Sequence, residues 1–263
     1  LKNEFKLDIE DARAINNSAL IMAAQNGHVE VLSVLKDEFK LTTTDARAEN
    51  NWALIRAAES GHVEVLRFLK NEFNLTTTDA RALNNYALIL AAQNGHVEVL
   101  RFLKDVFGLT AEDARAKDNW VIRFIPKLGR MEVLRVLKYE FKLTTADVQA
   151  NDNEALRAAA ESGHVEVLCF LKDAFKLTTT DAQAKHNYAF RIAALNGHVE
   201  VLRVLKNEFN LTTTDARAQN NFALRLAARY GHVEVLRFLK DEFGLTPQDA
   251  RANNNDALRW AAG

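Results

Sequence analysis

Residues 41–74 read LTTTDARAENNWALIRAAESGHVEVLRFLKNEFN, and the chain is this line written repeatedly. Lines of 34 residues align units 7–40, 41–74, 75–108, 109–142, 143–176, 177–210 and 211–244. Residues 1–6 match the end of a preceding unit and residues 245–263 match the first half of an eighth. A fixed period of this length is the mark of stacked supersecondary units, each unable to bury its apolar faces alone. The expectation is one repeat domain over 1–263, without linkers, in an all-α solenoid.

Three helical pieces are legible in each line. Thr42 precedes a short helix from Thr43 to Ala48, and Asp45 completes a Thr-x-x-Asp capping box. Asp8 takes the cap position in the first unit. The last reads Thr246-Pro247-Gln248-Asp249, with proline at the first helical position, where its missing N–H has no partner to lose. An asparagine recurs at Asn17, Asn51, Asn85, Asn119, Asn153, Asn187, Asn221 and Asn255 and reads as the N-cap of helix A, Trp52 to Ser60. The residue before it is Asn, Asp or His, as at Asn50, Asp118 and His186, which suits one left-handed turn residue. Gly61 closes helix A, and helix B runs from Val63 to about Phe73 with Val65, Leu66, Leu69 and Phe73 on one face. Leu54, Ala57 and Ala58 form the inward stripe of helix A.

The segment xALxxAAxxGHVEVLxxL resembles the ankyrin repeat. Trp52-Ala53-Leu54-Ile55 stands where that family has T-P-L-H, and Gly61-His62-Val63-Glu64-Val65-Leu66 follows its G-H-x-E-V-V/L. The family's hairpin segment is replaced by FNLTTTDARAENN, which carries a helix cap in place of strand signals. The resemblance implies ankyrin-like helices A and B, with a short capped helix where the β-hairpin would stand. It also implies a non-catalytic scaffold for a protein partner. The tetratricopeptide repeat shares the period, but its W-L-G-Y-A-F-P spacing is absent.

Chemistry is sparse. The histidines His28, His62, His96, His164, His198 and His232 recur one per unit. Equivalent positions on packed helices sit about 8–10 Å apart, too far for imidazoles that must each approach one ion to about 2 Å. They read as bonding backbone groups at the turn between helices A and B. No phosphate loop, H-E-x-x-H, G-x-S-x-G or paired-cysteine motif occurs. No metal, cofactor or catalytic residue is expected. Cys169 reads as drift on helix B. Arg47 and its equivalents, replaced by Gln149 and Gln183, read as a solvated or inter-repeat hydrogen-bonding ladder. With 34 Lys plus Arg against 35 Asp plus Glu, bulk charge gives no reason to expect nucleic acid or an anionic membrane. The absence of a long apolar run argues against a membrane span, and one cysteine suits a reducing compartment such as the cytoplasm.

Comparison among the units separates scaffold from variable surface. The positions of Trp52, Ile55, Arg56 and Glu59 vary most, and on a helix they fall within about 100° of one another. That face is expected to line the concave side of an ankyrin-like stack. Position 52 reads Ser18, Trp52, Tyr86, Trp120, Glu154, Tyr188, Phe222 and Asp256; position 55 reads Ile21, Ile55, Ile89, then Arg123, Arg157, Arg191, Arg225 and Arg259. The groove is expected to be apolar in its first half and basic in its second. Aromatics and arginines carry much of the energy at protein interfaces. The candidate contacts are therefore Trp52, Tyr86, Trp120, Tyr188, Phe222, Arg56, Arg123, Arg157, Arg191, Arg225 and Arg259. The competing readings are rings packed only on one another, nucleic acid held by the arginines and aromatics, and an array segment with no site of its own. Self-association end to end is a further expectation, from apolar faces at residues 1–6 and at Trp260-Ala261-Ala262-Gly263. One unit departs from the line: WVIRFIPKLGRM at 120–131 places Pro126 inside helix A, where a kink or a shortened helix is expected.

Overall fold

The computed structural model describes residues 2–261. The expected apolar ends fall partly on Leu1, Ala262 and Gly263, which lie outside the described residues. Among those described there are helices and no strands, as the all-α repeat reading required. The chain divides into two compact units, one of residues 1–121 and 132–142, the other of residues 122–131 and 143–263.

In the first unit each repeat begins with a one-turn helix, Thr43–Ala46 or Thr77–Ala80, in the place of a hairpin. The capping box forms as read. Asp45 accepts from the Thr42 backbone N–H at 2.8 Å and from its hydroxyl at 2.9 Å. Thr77 then ties this short helix to the end of helix B, donating to the carbonyl of Phe107 at 2.5 Å.

The next helical segment, Ala48–Ser60, departs from the expectation. Asn51 is no ordinary N-cap. Residues 49, 50 and 51 are all left-handed, with φ of 52°, 58° and 66°. A cap residue in extended conformation would turn its side-chain oxygen onto the first helical N–H groups; from the left-handed region Asn51 does not, and its carboxamide oxygen is buried with no hydrogen-bond partner. The right-handed helix follows from 52 to 60 and ends at Gly61, whose φ of 86° is the left-handed stop that glycine accepts without strain.

Helix B, Val63–Glu72, buries Val65, Leu66 and Leu69, with Phe73 beneath its last turn. Leu54, Ala57 and Ala58 are fully buried where successive A helices pack side by side, and the small alanines allow the close approach. Each fully buried leucine contributes about 1.5–3 kcal/mol. The outer charges of helix B link repeats as well: Lys36 reaches Glu72 at 2.6 Å.

The second unit repeats this plan. Short helices at Thr179–Ala182, Thr213–Ala216 and Pro247–Ala250 carry the same capping boxes. The same left-handed triplet recurs at 151–153, 185–187, 219–221 and 253–255. Its first repeat segment holds Pro126, and the shortened helix is found: right-handed α-helix stops at Phe124 and residues Ile125–Leu128 form a 3-10 turn that ends on left-handed Gly129. Proline has no N–H to give the preceding turn, so the chain tightens there.

Candidate functional site

Two inter-repeat ladders hold neighbouring repeats in register within each unit. The first is the Arg–Asp ladder. Arg13 pairs with Asp45, and Arg81 with Asp113, each through two nitrogen–oxygen contacts of 2.6 to 3.2 Å. In the second unit Gln149 and Gln183 replace arginine and donate one bond each, at 2.8 Å, to Asp181 and Asp215. The ladder carboxylates are buried, and at Asp79 and Asp249 burial acts to raise the pKa. For Asp79 the Arg47 guanidinium and the Thr76 N–H and hydroxyl outweigh it and hold the carboxyl below its ordinary value. For Asp249 the hydrogen bond from Arg217 dominates and brings the carboxyl down to about 2. These residues are occupied with structure, as the ladder reading expected.

The second ladder is the histidines. His96 Nε2 lies 2.9 Å from the carbonyl of Glu59, His198 Nε2 3.1 Å from that of Glu161, and His232 Nε2 2.7 Å from that of Leu195. Each ring also covers the glycine that ends the previous helix A; a Cβ on Gly61 would lie 2.8 Å from His96 Nδ1. Among the described residues no cluster of His, Cys, Asp or Glu is placed to hold a metal ion. The Cys169 thiol is pushed up by burial and by the nearby carboxylates of Glu208 and Asp173, which disfavours a thiolate nucleophile.

The face of helix A carries the remaining chemistry. In the first unit Trp52 and Tyr86 stack, with centroids 6.2 Å apart and planes 15° from parallel. Arg56 lies 4.6 Å over Trp52 and pairs with Glu59, and Lys117 lies 4.6 Å over Tyr86. All these side chains except exposed Lys117 are half-buried, as is Trp120. Position 55 was expected on this open face. The structure instead buries Ile55 and Ile89 completely or nearly so, because helix A is flanked by a neighbour on that side. The apolar half-groove is therefore core, and the row left at the surface in this unit is the half-buried Trp52, Arg56 and Tyr86.

In the second unit the same position holds arginines, and their role differs from the expected basic lining. Arg157 donates from Nη2 to the carbonyl of Asn151 at 2.8 Å and from Nε to that of Asp152 at 3.0 Å. Arg191 does the same to Lys185 and His186, both at 3.0 Å. These are carbonyls of the left-handed residues. The arginines are clamps on the triplet. They also alternate with rings: Arg157 lies 5.3 Å from Tyr188, Arg191 5.6 Å from Tyr188 and 5.5 Å from Phe222, and Arg225 5.2 Å from Phe222. Burial pulls Arg191 below its ordinary pKa. Arg225 goes furthest and is 8% exposed, so the structure places it inside the stack and off the open face. Arg123 is held by Glu154 at 2.6 Å, whereas Arg259 is exposed and only loosely paired with Asp256 at 3.4 Å.

Beyond these residues, an arginine–aromatic cluster formed by Arg229, Tyr230 and Trp260 was not anticipated. Its sequence signal was the departure at the end of one helix A, where Arg229-Tyr230 stands in place of pairs such as Glu59-Ser60 or Gln93-Asn94.

Capped one-turn helices, paired A and B helices and inter-repeat ladders define an all-α repeat protein. A family model described as ankyrin repeats, three copies, matches residues 1–79. The unit inside that match recurs to residue 263, so the similarity to ankyrin repeats found at residues 1–79 is carried along the chain by its own period. A crystal structure of an ankyrin repeat family protein from Legionella pneumophila is similar at 24% identity and a TM-score of 0.42, covering 86% of this chain and 69% of that one. No curated protein matches. Ankyrin repeats are generally protein–protein interaction modules, and proteins built from them are generally non-enzymatic scaffolds. No helix among the described residues is long and apolar enough to cross a membrane.

Proposed function

We propose that this chain is a non-catalytic scaffold that binds a protein partner across the exposed face of its A helices. The reading takes residues 1–263 as one repeat domain. The observation that carries it is the contrast between the two helical surfaces. Helix B spends its outer charges on repeat-to-repeat pairs such as Lys172 with Glu208 and Lys206 with Glu242. Helix A presents half-buried rings, Trp52 stacked on Tyr86, and Tyr188 and Phe222 on either side of Arg191, pre-set by arginine neighbours. Rings held rigid before binding lose little freedom on contact, which is the property of an interface anchor. Arg56, Arg123, Arg157, Arg191 and Arg259 would present their remaining N–H groups at the rim.

Nucleic acid is the weaker reading. Base stacking needs free ring faces, and here Tyr188 and Phe222 already carry guanidinium neighbours. The test is a pull-down from a lysate with the wild-type chain and with Trp52, Tyr86 and Arg123 changed to Ala. Loss of a specific protein from the variant eluate, with its circular dichroism unchanged, is the expected result. Recovery of every protein in equal amount would remove the helix A face as the site.

A further inference from the structure

We infer that the cleft lined by Arg229, Tyr230, Arg259 and Trp260 is a docking site for an acidic peptide segment of the partner. The inference rests on the protein-binding reading above and names the chemistry of one part of it.

The cleft has a volume of about 410 Å³. Arg229 and Arg259 line it, Arg225 lies buried against Trp260, and among the described residues the one carboxylate within ion-pair distance of any of these arginines is Asp256. That carboxylate lies 3.5 Å from Arg225 and 3.4 Å from Arg259, and it also accepts from the Asn253 side chain. Three guanidinium charges against one carboxylate leave two in excess. Arg229 has no anionic partner among the described residues. It is exposed and rests against two rings, 5.3 Å from Trp260 and 5.7 Å from Tyr230. Arg225, 4.9 Å from Trp260, is buried and turned to Asp256 through Nε at 3.5 Å and to the carbonyl of Asn220 through Nη1 at 3.3 Å, which leaves Arg229 and Arg259 as the cations facing the cleft. A guanidinium laid on an aromatic ring keeps its N–H edge free, and that edge matches a carboxylate with two parallel bonds.

Two comparisons within the chain sharpen this. The polar pocket lined by Arg123, Lys127, Arg157, Glu154 and Glu161 also holds arginines, but each cation is engaged: Arg123 pairs with Glu154 at 2.6 Å, Lys127 with Glu161 at 3.1 Å, and Arg157 donates to the carbonyls of Asn151 and Asp152. The position of Arg229 is Glu59, Gln93 or Glu161 in other repeats. The position of Tyr230 is elsewhere Asn94 or Asn196, whose amides bond the carbonyls of Glu59 and Glu161 in the preceding repeat. The Arg229-Tyr230 pair gives up that bond and gains an unpaired cation between rings. Both rings already have cationic or imidazole neighbours, Trp260 from Arg225 and Arg229 and Tyr230 from Arg229 and His232. That leaves guanidinium edges, and not ring faces, as the recognition chemistry, and so favours carboxylates over stacked bases.

The experiment follows Trp260 fluorescence in the full chain with Trp52 and Trp120 changed to Phe, titrated with octaglutamate. A saturable change is expected, weakened about tenfold or more by Arg229→Gln. Arg229→Lys should fall between the two, and Arg67→Gln on helix B should have no effect. Far-UV circular dichroism checks that each variant is folded. No saturable change with octaglutamate, or equal affinity in the folded Arg229→Gln chain, would overturn the inference. So would tighter, arginine-dependent binding of a thymidine octanucleotide. Failure here while the pull-down still responds to Trp52→Ala removes this site alone; insensitivity of the pull-down removes the wider reading.

Discussion

Arg47 of one repeat grips Asp79 of the next through Nε at 2.7 Å and Nη2 at 3.0 Å. The same carboxylate accepts from the backbone N–H of Thr76 at 2.8 Å and from its hydroxyl at 2.9 Å. One buried side chain therefore caps the short helix and joins two repeats. Removing it leaves a helix end uncapped and a guanidinium unpaired. Asp79→Ala is expected to cost about 2 kcal/mol or more, read as a lowered midpoint in urea.

The same carboxylates set a pH dependence. Asp249 has a folded pKa of about 2 against an ordinary 3.8, and Asp45, Asp79, Asp113 and Asp215 are shifted the same way. A depressed folded pKa means the unfolded chain takes up the proton first. The stabilisation is present in full above the ordinary value and is lost as pH falls toward the folded one. The thermal unfolding midpoint should therefore drop steeply as pH falls from about 4 to about 2. Arg217→Gln, which removes the main cause of the Asp249 shift, should make that slope shallower. An unchanged slope would show that the pair contributes nothing.

The two glutamines in the ladder give a test in the other direction. Gln183 offers Asp215 one donor where Arg47 offers Asp79 two. Gln183→Arg should add a charge-assisted bidentate contact and raise stability by about 0.5–1 kcal/mol, an effect that shrinks in high salt.

Much of this was readable in the residues. The capping boxes, the glycine stops, the histidine contacts and the break at Pro126 each depend on local chemistry, and local chemistry is written in sequence. The left-handed triplet was only one-third visible. Asn50 announces tolerance for positive φ, but Asn51 reads as an ordinary N-cap, and Glu49, Leu83 and Gln219, which open the same triplet, give no signal. What holds them there is tertiary: in the second unit, Arg157 and Arg191 bonding back to the reversed carbonyls. The reading of position 55 as surface failed for the same reason. Variation between repeats exposed a changing residue, but not that Ile55 changes into Arg157 because one packs against a helix and the other clamps a turn.

The strain in the triplet can be relieved. Gln219 is exposed with φ of 55°. A non-glycine residue in that region costs about 1–2 kcal/mol, partly offset by glycine's greater freedom in the unfolded chain. Gln219→Gly should stabilise by about 0.5–1 kcal/mol, and Gln219→Val should destabilise. The reverse order in thermal melts would show that the triplet is not left-handed in solution.

Two glycines separate strain from collision. Gly61 and Gly231 both have positive φ, 86° and 71°, but a Cβ on Gly61 would meet His96 while one on Gly231 meets nothing within 4 Å. Gly231→Ala should cost about 1 kcal/mol from backbone strain alone. Gly61→Ala should cost clearly more, because the His96 ring must leave its bond to the carbonyl of Glu59. Equal losses in urea melts would mean that the histidine ladder yields freely.

The most direct test of the scaffold reading is hydroxyl-radical footprinting of the chain alone and with the protein recovered by pull-down. Trp52, Tyr86 and Tyr188 report the helix A face, and Tyr139, 52% exposed on helix B, reports the other. Protection of the three helix A rings with Tyr139 unchanged is the predicted result. Protection of Tyr139 with the helix A rings still reactive would contradict it.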